Sequence, residues 1–104
     1  MKRVGFKMKL HPGQMAEYKK RHDEIWPELA AVISKGGARD YTIFLDPETN
    51  ILFAITHVPD DAERGDPGDE PIVRKWWDYM SDIMDTNPDK SPVMKPLVEV
   101  FHMD

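Results

Sequence analysis

The sequence has 104 residues, with 14 basic and 19 acidic side chains, a net charge of −5 and no cysteine. That length suits one hydrophobic core, so residues 1–104 read as a single domain, and the acidic balance argues against attachment to nucleic-acid phosphates or an anionic membrane surface. The absence of thiols excludes disulfides, thiolate nucleophiles and thiolate metal sites, and without an apolar run of spanning length the chain reads as cytoplasmic, with no membrane partner.

Val4, Phe6, Met8 and Leu10 alternate with Gly5, Lys7 and Lys9, the period of two that puts one apolar face on a strand. His11-Pro12-Gly13 breaks it. From Pro12, the spacing of Met15, Tyr18, Ile25, Leu29, Val32 and Ile33 predicts a first helix ending at Gly36-Gly37. Pro27 lies inside that stretch without an N–H to donate, so the helix must kink there or restart with Pro27 in its first turn.

Tyr41–Leu45 and Ile51–Val58 flank Asp46-Pro47-Glu48-Thr49-Asn50, which predicts an antiparallel hairpin. The second of these strands is apolar on both sides, so both faces of the sheet need cover. Pro59 to Pro71 carries loop chemistry, and Ile72, Val73, Trp76, Trp77, Met80, Ile83 and Met84 form the stripe of a second helix. Asn87 to Pro92 stops it. Val98, Val100 and His102, alternating with Glu99, Phe101 and Met103, predict a closing strand.

The order βαββαβ predicts an α+β, ferredoxin-like domain with a four-stranded antiparallel sheet and its helices on one face. A second copy set against the other face would give a homodimer, a dimeric α+β barrel.

Tyr18 and His22, four apart on a helix, share a face and can line one pocket; equally, His22 can belong to a solvated charged face and Tyr18 to the core. Trp76 and Trp77 diverge by about 100 degrees on a helix. They either split between core and subunit contact or wall a cavity in which indoles stack on a ligand. Tyr41 is either a cross-strand packing residue or a pocket residue. His11, His57 and His102 show no ligand spacing, and Asp78, Asp82 and Asp85 read as the wet side of a helix.

Taken together, the YxxxHxxIWPEL block of Tyr18 to Leu29, Tyr41, Lys75-Trp76-Trp77 and the Asn87-Pro88-Asp89-Lys90-Ser91-Pro92-Val93 segment resemble the L-rhamnose mutarotase family nearly end to end. The resemblance implies a homodimer that interconverts the α and β anomers of L-rhamnose with no metal or organic cofactor. It implies His22 as the catalytic acid and Tyr18, Tyr41, Trp76 and Trp77 as substrate-binding residues. One segment departs. Many members carry a helical stretch with a tryptophan and a threonine before the paired tryptophans, which Glu63 to Pro71 here cannot form.

An imidazole suits anomer exchange, because its ordinary pKa of about 6.5 leaves both protonation states within reach near neutrality. Two other readings of this fold are a non-catalytic sugar-binding dimer and a cofactor-free monooxygenase of the dimeric α+β barrel type. The first has no need of a titrating group at the anomeric carbon; the second requires a flat aromatic substrate and oxygen.

Overall fold

The computed structural model describes residues 2–60 and 70–104. Strand β1 (Lys2–Lys9) leads to helices α1 (Met15–Asp23) and α2 (Pro27–Lys35), then strands β2 (Arg39–Asp46) and β3 (Ile51–Val58), helix α3 (Pro71–Met80) and the short strand β4 (Lys95–Pro96). The sheet is antiparallel in the order β2-β3-β1-β4, the strand order of a ferredoxin-like domain.

Register decides which side chains meet. Phe6 pairs with Ala54 and Met8 with Leu52, so these four share one face, and Met8, Leu10, Leu52 and Ala54 are buried there against Tyr18, Met80, Ile83 and Met84. Leu10 and Leu52 are enclosed almost completely, each contributing about 1.5 to 3 kcal/mol from burial.

At Pro27 the chain restarts rather than kinks. Pro27 opens α2 as its first helical residue, and the preference of a residue before proline for extended backbone holds Trp26 at φ −61°, ψ 128°. The first helix begins at Met15 rather than Pro12. Its continuation α2 ends at Lys35 before the glycine pair; Gly37 has φ 90°, and a Cβ there would lie 2.7 Å from the Pro59 ring, so only glycine fits.

In the hairpin, Asp46 organises the turn. Its carboxylate accepts from Glu48 N and from the Thr49 hydroxyl, and its carbonyl accepts from Asn50 N at 2.8 Å.

Three expectations need correction. The second helix ends at Met80 instead of running to Met84, because the backbone that follows bonds to the end of β1: His11 N donates to Ile83 O at 2.8 Å and Asp85 N to Lys9 O at 3.0 Å. Asp82 and Asp85 therefore lie beyond the helix, where Asp82 pairs with Arg21 and Asp85 with His11. The closing strand is Lys95–Pro96, not Val98 to Met103. After Leu97 N donates to Gly5 O, the tail joins no ladder, since alternation of apolar residues marks extended chain and does not by itself supply a neighbour to bond. The irregular stretch expected at 63–71 lies, up to residue 69, outside the described residues; α3 begins at Pro71.

Candidate active site

A cavity of about 1020 Å³ opens between the helices and the inner face of the sheet, and Tyr18, His22, Tyr41, Trp76 and Trp77 all line it. Residues from two helices and a strand, spread over 60 positions of sequence, thus reach one space.

His22 is the best defined of them. One turn apart on α1, the Tyr18 and His22 rings stack with centroids 4.2 Å apart and 29° between planes. The imidazole Nδ1 lies 3.0 Å from the Tyr18 carbonyl; a carbonyl only accepts, so Nδ1 carries the proton and Nε2 is left for a ligand. Burial pushes the His22 pKa below its ordinary 6.5, opposed by that hydrogen bond and by Asp23. Neutral imidazole with a free Nε2 lone pair is therefore the form at pH 7.

The two phenols are held in their protonated forms. Tyr18 is buried, and burial, followed by the nearby Tyr41, raises its pKa well above the usual phenol value. Tyr41 is pushed up to about 12 by the protein around its hydroxyl. Although Tyr41 exposes 44% of its surface, it also lines the open cavity.

Tyr41 reaches the cavity through an irregularity that its sequence did not announce. Arg39 pairs with His57 but Thr42 pairs with Ile55, so β2 carries one extra residue, and Asp40 takes φ 50°. Without that bulge Tyr41 would share the outer face with Arg39; with it, Tyr41 turns inward beside Ile43. The Thr56 hydroxyl, donating to Arg39 O at 3.0 Å, ties the bulge to β3, and the Tyr41 ring meets Phe6 edge-on at 6.2 Å.

On α3, the adjacent tryptophans differ in surroundings. Trp76 sets its edge against His22 at 5.4 Å and packs on Trp26 at 5.1 Å and Tyr79 at 5.7 Å. Trp77 lines the cavity from the next position. Despite their divergence, both tryptophans line it.

Behind this wall stands a residue pair that sequence reasoning missed. Arg21 is only 9% exposed. It donates to Glu17 at 2.9 Å, to Asp82 at 2.8 and 3.2 Å and to the Tyr79 carbonyl at 2.7 Å. Its guanidinium also covers the Tyr79 ring at 4.3 Å, and that ring stacks on Trp26. The one available signal was the pair Glu17 and Arg21 at helical spacing, which reads as a surface pair. Among the described residues, no cluster of three or more His, Asp or Glu side chains is placed to hold a metal ion.

The sequence model of the L-rhamnose mutarotase family matches residues 3–103. The chain belongs to that family. An L-rhamnose mutarotase of Bacteroides thetaiotaomicron is 60% identical over 104 residues, and one of Phocaeicola vulgatus is 58% identical, each aligned over the whole of both chains. Among solved structures, the crystal structure of L-rhamnose mutarotase from Formosa agariphila superposes with a TM-score of 0.92 at 51% identity, covering both chains completely. As a family member, the chain falls in the isomerase class, and its ferredoxin-like sheet agrees with that structure.

Proposed function

We propose that this protein interconverts the α and β anomers of L-rhamnose as a cytoplasmic homodimer of single-domain subunits, with His22 moving the proton and no metal or organic cofactor. The observation that carries the reading is the fixed tautomer of His22, whose Nδ1 is committed to the Tyr18 carbonyl and whose Nε2 is left to the cavity. Family membership supports it over a non-catalytic sugar binder or a monooxygenase.

Ring opening moves one proton from the anomeric hydroxyl O1 to the ring oxygen O5 while the C1–O5 bond breaks and C1=O1 forms. Both oxygens are bonded to C1, so a single nitrogen can serve them in turn. Neutral Nε2 takes the O1 proton, and the resulting imidazolium returns it to O5. Rotation about C1–C2 then presents the other face of the aldehyde, and reclosure runs the same transfers backwards. Tyr18 and Tyr41, kept protonated, donate and accept hydrogen bonds at sugar hydroxyls. Trp76 and Trp77 stack on the C–H face and cover the 6-deoxy methyl.

The homodimer is supported by the outer face of the sheet. Phe53 pairs with Phe44, and Ile55 pairs with Thr42 and Gly5; Phe44 is 60% exposed, with Ile55 and Leu97 exposed beside it. A second copy covers such a face by two-fold symmetry. The cytoplasmic assignment is supported by membership of a sugar-metabolising enzyme family; no helix among the described residues is long and apolar enough to cross a membrane.

Saturation-transfer NMR between the two anomers tests the activity. Magnetisation should pass between the anomeric protons faster with protein than without it, and equal rates would refute the assignment.

A further inference from the structure

Three cationic side chains line the cavity: Lys19, Arg39 and Lys90. Two are already engaged. Lys19 Nζ donates to Asp23 at 2.7 Å, and Arg39 donates to the carbonyls of Ser34 and Ala38 at 3.1 and 2.8 Å. Lys90 alone makes no side-chain hydrogen bond or ion pair among the described residues.

The backbone at Lys90 is held in an unusual conformation. Its φ is 73°, the left-handed region that glycine and asparagine enter readily and that a lysine occupies at a cost. The Asn87–Pro92 loop imposes that conformation with its own bonds. Lys90 N donates to Asn87 O at 2.9 Å and Asn87 N to Ser91 O at 2.8 Å; Asn87 Nδ2 donates to Ser91 Oγ at 3.1 Å, and Ser91 N to Asp89 at 3.0 Å. Lys90 is exposed and lines the cavity, so a strained backbone there carries a charge that no described side chain engages, a combination that accompanies ligand contact at functional sites.

We propose that Lys90 is a substrate-contacting residue, donating from its ammonium group to hydroxyl oxygens of the bound sugar. The proposal rests on the mutarotase reading and deepens it. Tyr41 enters the cavity from β2 at one edge of the sheet and the Lys90 loop precedes β4 at the other. The two residues therefore border the cavity from different elements of the fold. Each sugar hydroxyl offers lone pairs, the tyrosine hydroxyls and indoles of the cavity offer one N–H or O–H donor each, and an ammonium adds three. Sugars lacking the contacted hydroxyls lose this contact, so Lys90 also sets selectivity.

The test compares Lys90→Gly, Lys90→Asn and Lys90→Arg with the unaltered protein, measuring kcat and KM for L-rhamnose by anomer-exchange NMR and thermal stability in parallel. Loss of a charge-assisted hydrogen bond predicts a KM about tenfold higher in the glycine and asparagine variants, with kcat nearly unchanged. Those two variants should melt at or above the unaltered temperature, since both accept the left-handed backbone. Lys90→Arg keeps the cation and should recover part of the affinity. A contribution to stability alone would move melting temperature and KM in the same harmful direction; that result, or an unchanged KM in both variants, overturns the proposal. If the unaltered protein shows no exchange, the mutarotase reading fails, and affinity is then read from sugar quenching of tryptophan fluorescence. Equal affinity in the variants there would overturn the Lys90 contact on its own.

Discussion

At the scale of single residues, the site depends on which imidazole nitrogen is free. His22→Asn retains a hydrogen-bonding side chain of similar reach but cannot exchange a proton near neutrality, so anomer exchange should fall about 100-fold or more while L-rhamnose still quenches tryptophan fluorescence. The pH dependence follows from burial. Because the folded protein holds the His22 pKa below 6.5, the neutral, proton-accepting form persists at pH 7, and exchange should decline only on acidification, with an inflection below pH 6.5 that His22→Asn lacks. Stability carries the same sign. The unfolded chain binds this proton more tightly than the folded one, so the stability that His22 provides is complete above about pH 6.5 and is lost as pH falls through the folded value. Melting temperatures at pH 7.5 and pH 5 should diverge more for the unaltered protein than for His22→Asn. The neighbouring indoles act through contact area. Trp76→Ala or Trp77→Ala should weaken sugar binding by about 1 to 3 kcal/mol in a fluorescence or calorimetric titration, each removing a large apolar surface from the pocket.

At the scale of elements, two breaks in regularity position these side chains, and they were unequally legible. Pro27 announced the first, since a proline cannot continue a helix, and the restart sets Trp26 against Trp76 and Tyr79. The bulge in β2 had no such sign. A bulge depends on the pairing of β2 with β3, which no local pattern in Arg39-Asp40-Tyr41 reveals, so from the residues alone a pocket position for Tyr41 stood open beside cross-strand packing, and family resemblance favoured it. The same holds for the end of α3: apolar residues at helical spacing continue to Met84, yet the backbone past Met80 finds better partners on β1. Arg21 shows how burial can hide in a charged segment, because within Lys19-Lys20-Arg21-His22-Asp23-Glu24 nothing separates the one buried cation from its exposed neighbours. It joins α1 to the end of α3 through Asp82 and the Tyr79 carbonyl. Arg21→Met should lower stability by about 1 to 2 kcal/mol in urea unfolding, since it leaves the Tyr79 carbonyl without its charged donor, whereas the carboxylates of Glu17 and the exposed Asp82 regain water. His22 sits on the same helix, so exchange should weaken too, and Arg21→Lys should restore only part of either loss because an ammonium cannot reproduce the guanidinium fork.

At the scale of the whole molecule, one face of the sheet is packed and the other is not. Leu52, Ala54 and Thr56 point to the buried side, whereas Phe53, Ile55 and His57 alternate to the outer one, which is why the sequence of β3 asked for cover on both faces. The tail adds to the same demand, with Val98, Val100 and Phe101 at 85%, 91% and 78% exposure. Among the described residues, Glu99 alone of the tail side chains is tied back to the sheet, through Arg3 at 2.6 Å. Apolar groups so displayed favour association, and a self-complementary face is closed by one two-fold partner rather than by an open chain of copies. Sedimentation at micromolar concentration should therefore give about twice the 12.1 kDa chain mass. Phe44→Asp is the sharpest test of which surface is used. Phe44 is exposed and pairs with Phe53 on the outer face, so an aspartate there leaves the buried core untouched but places a charge where the partner would sit, and the chain should sediment at its single mass. Its exchange activity should largely survive, because Tyr18, His22, Tyr41, Trp76 and Trp77 reach the cavity from one chain. A variant that still sediments at twice the mass would move the interface away from this face, and a monomer that has lost exchange while retaining its fold would mean that the partner completes the site.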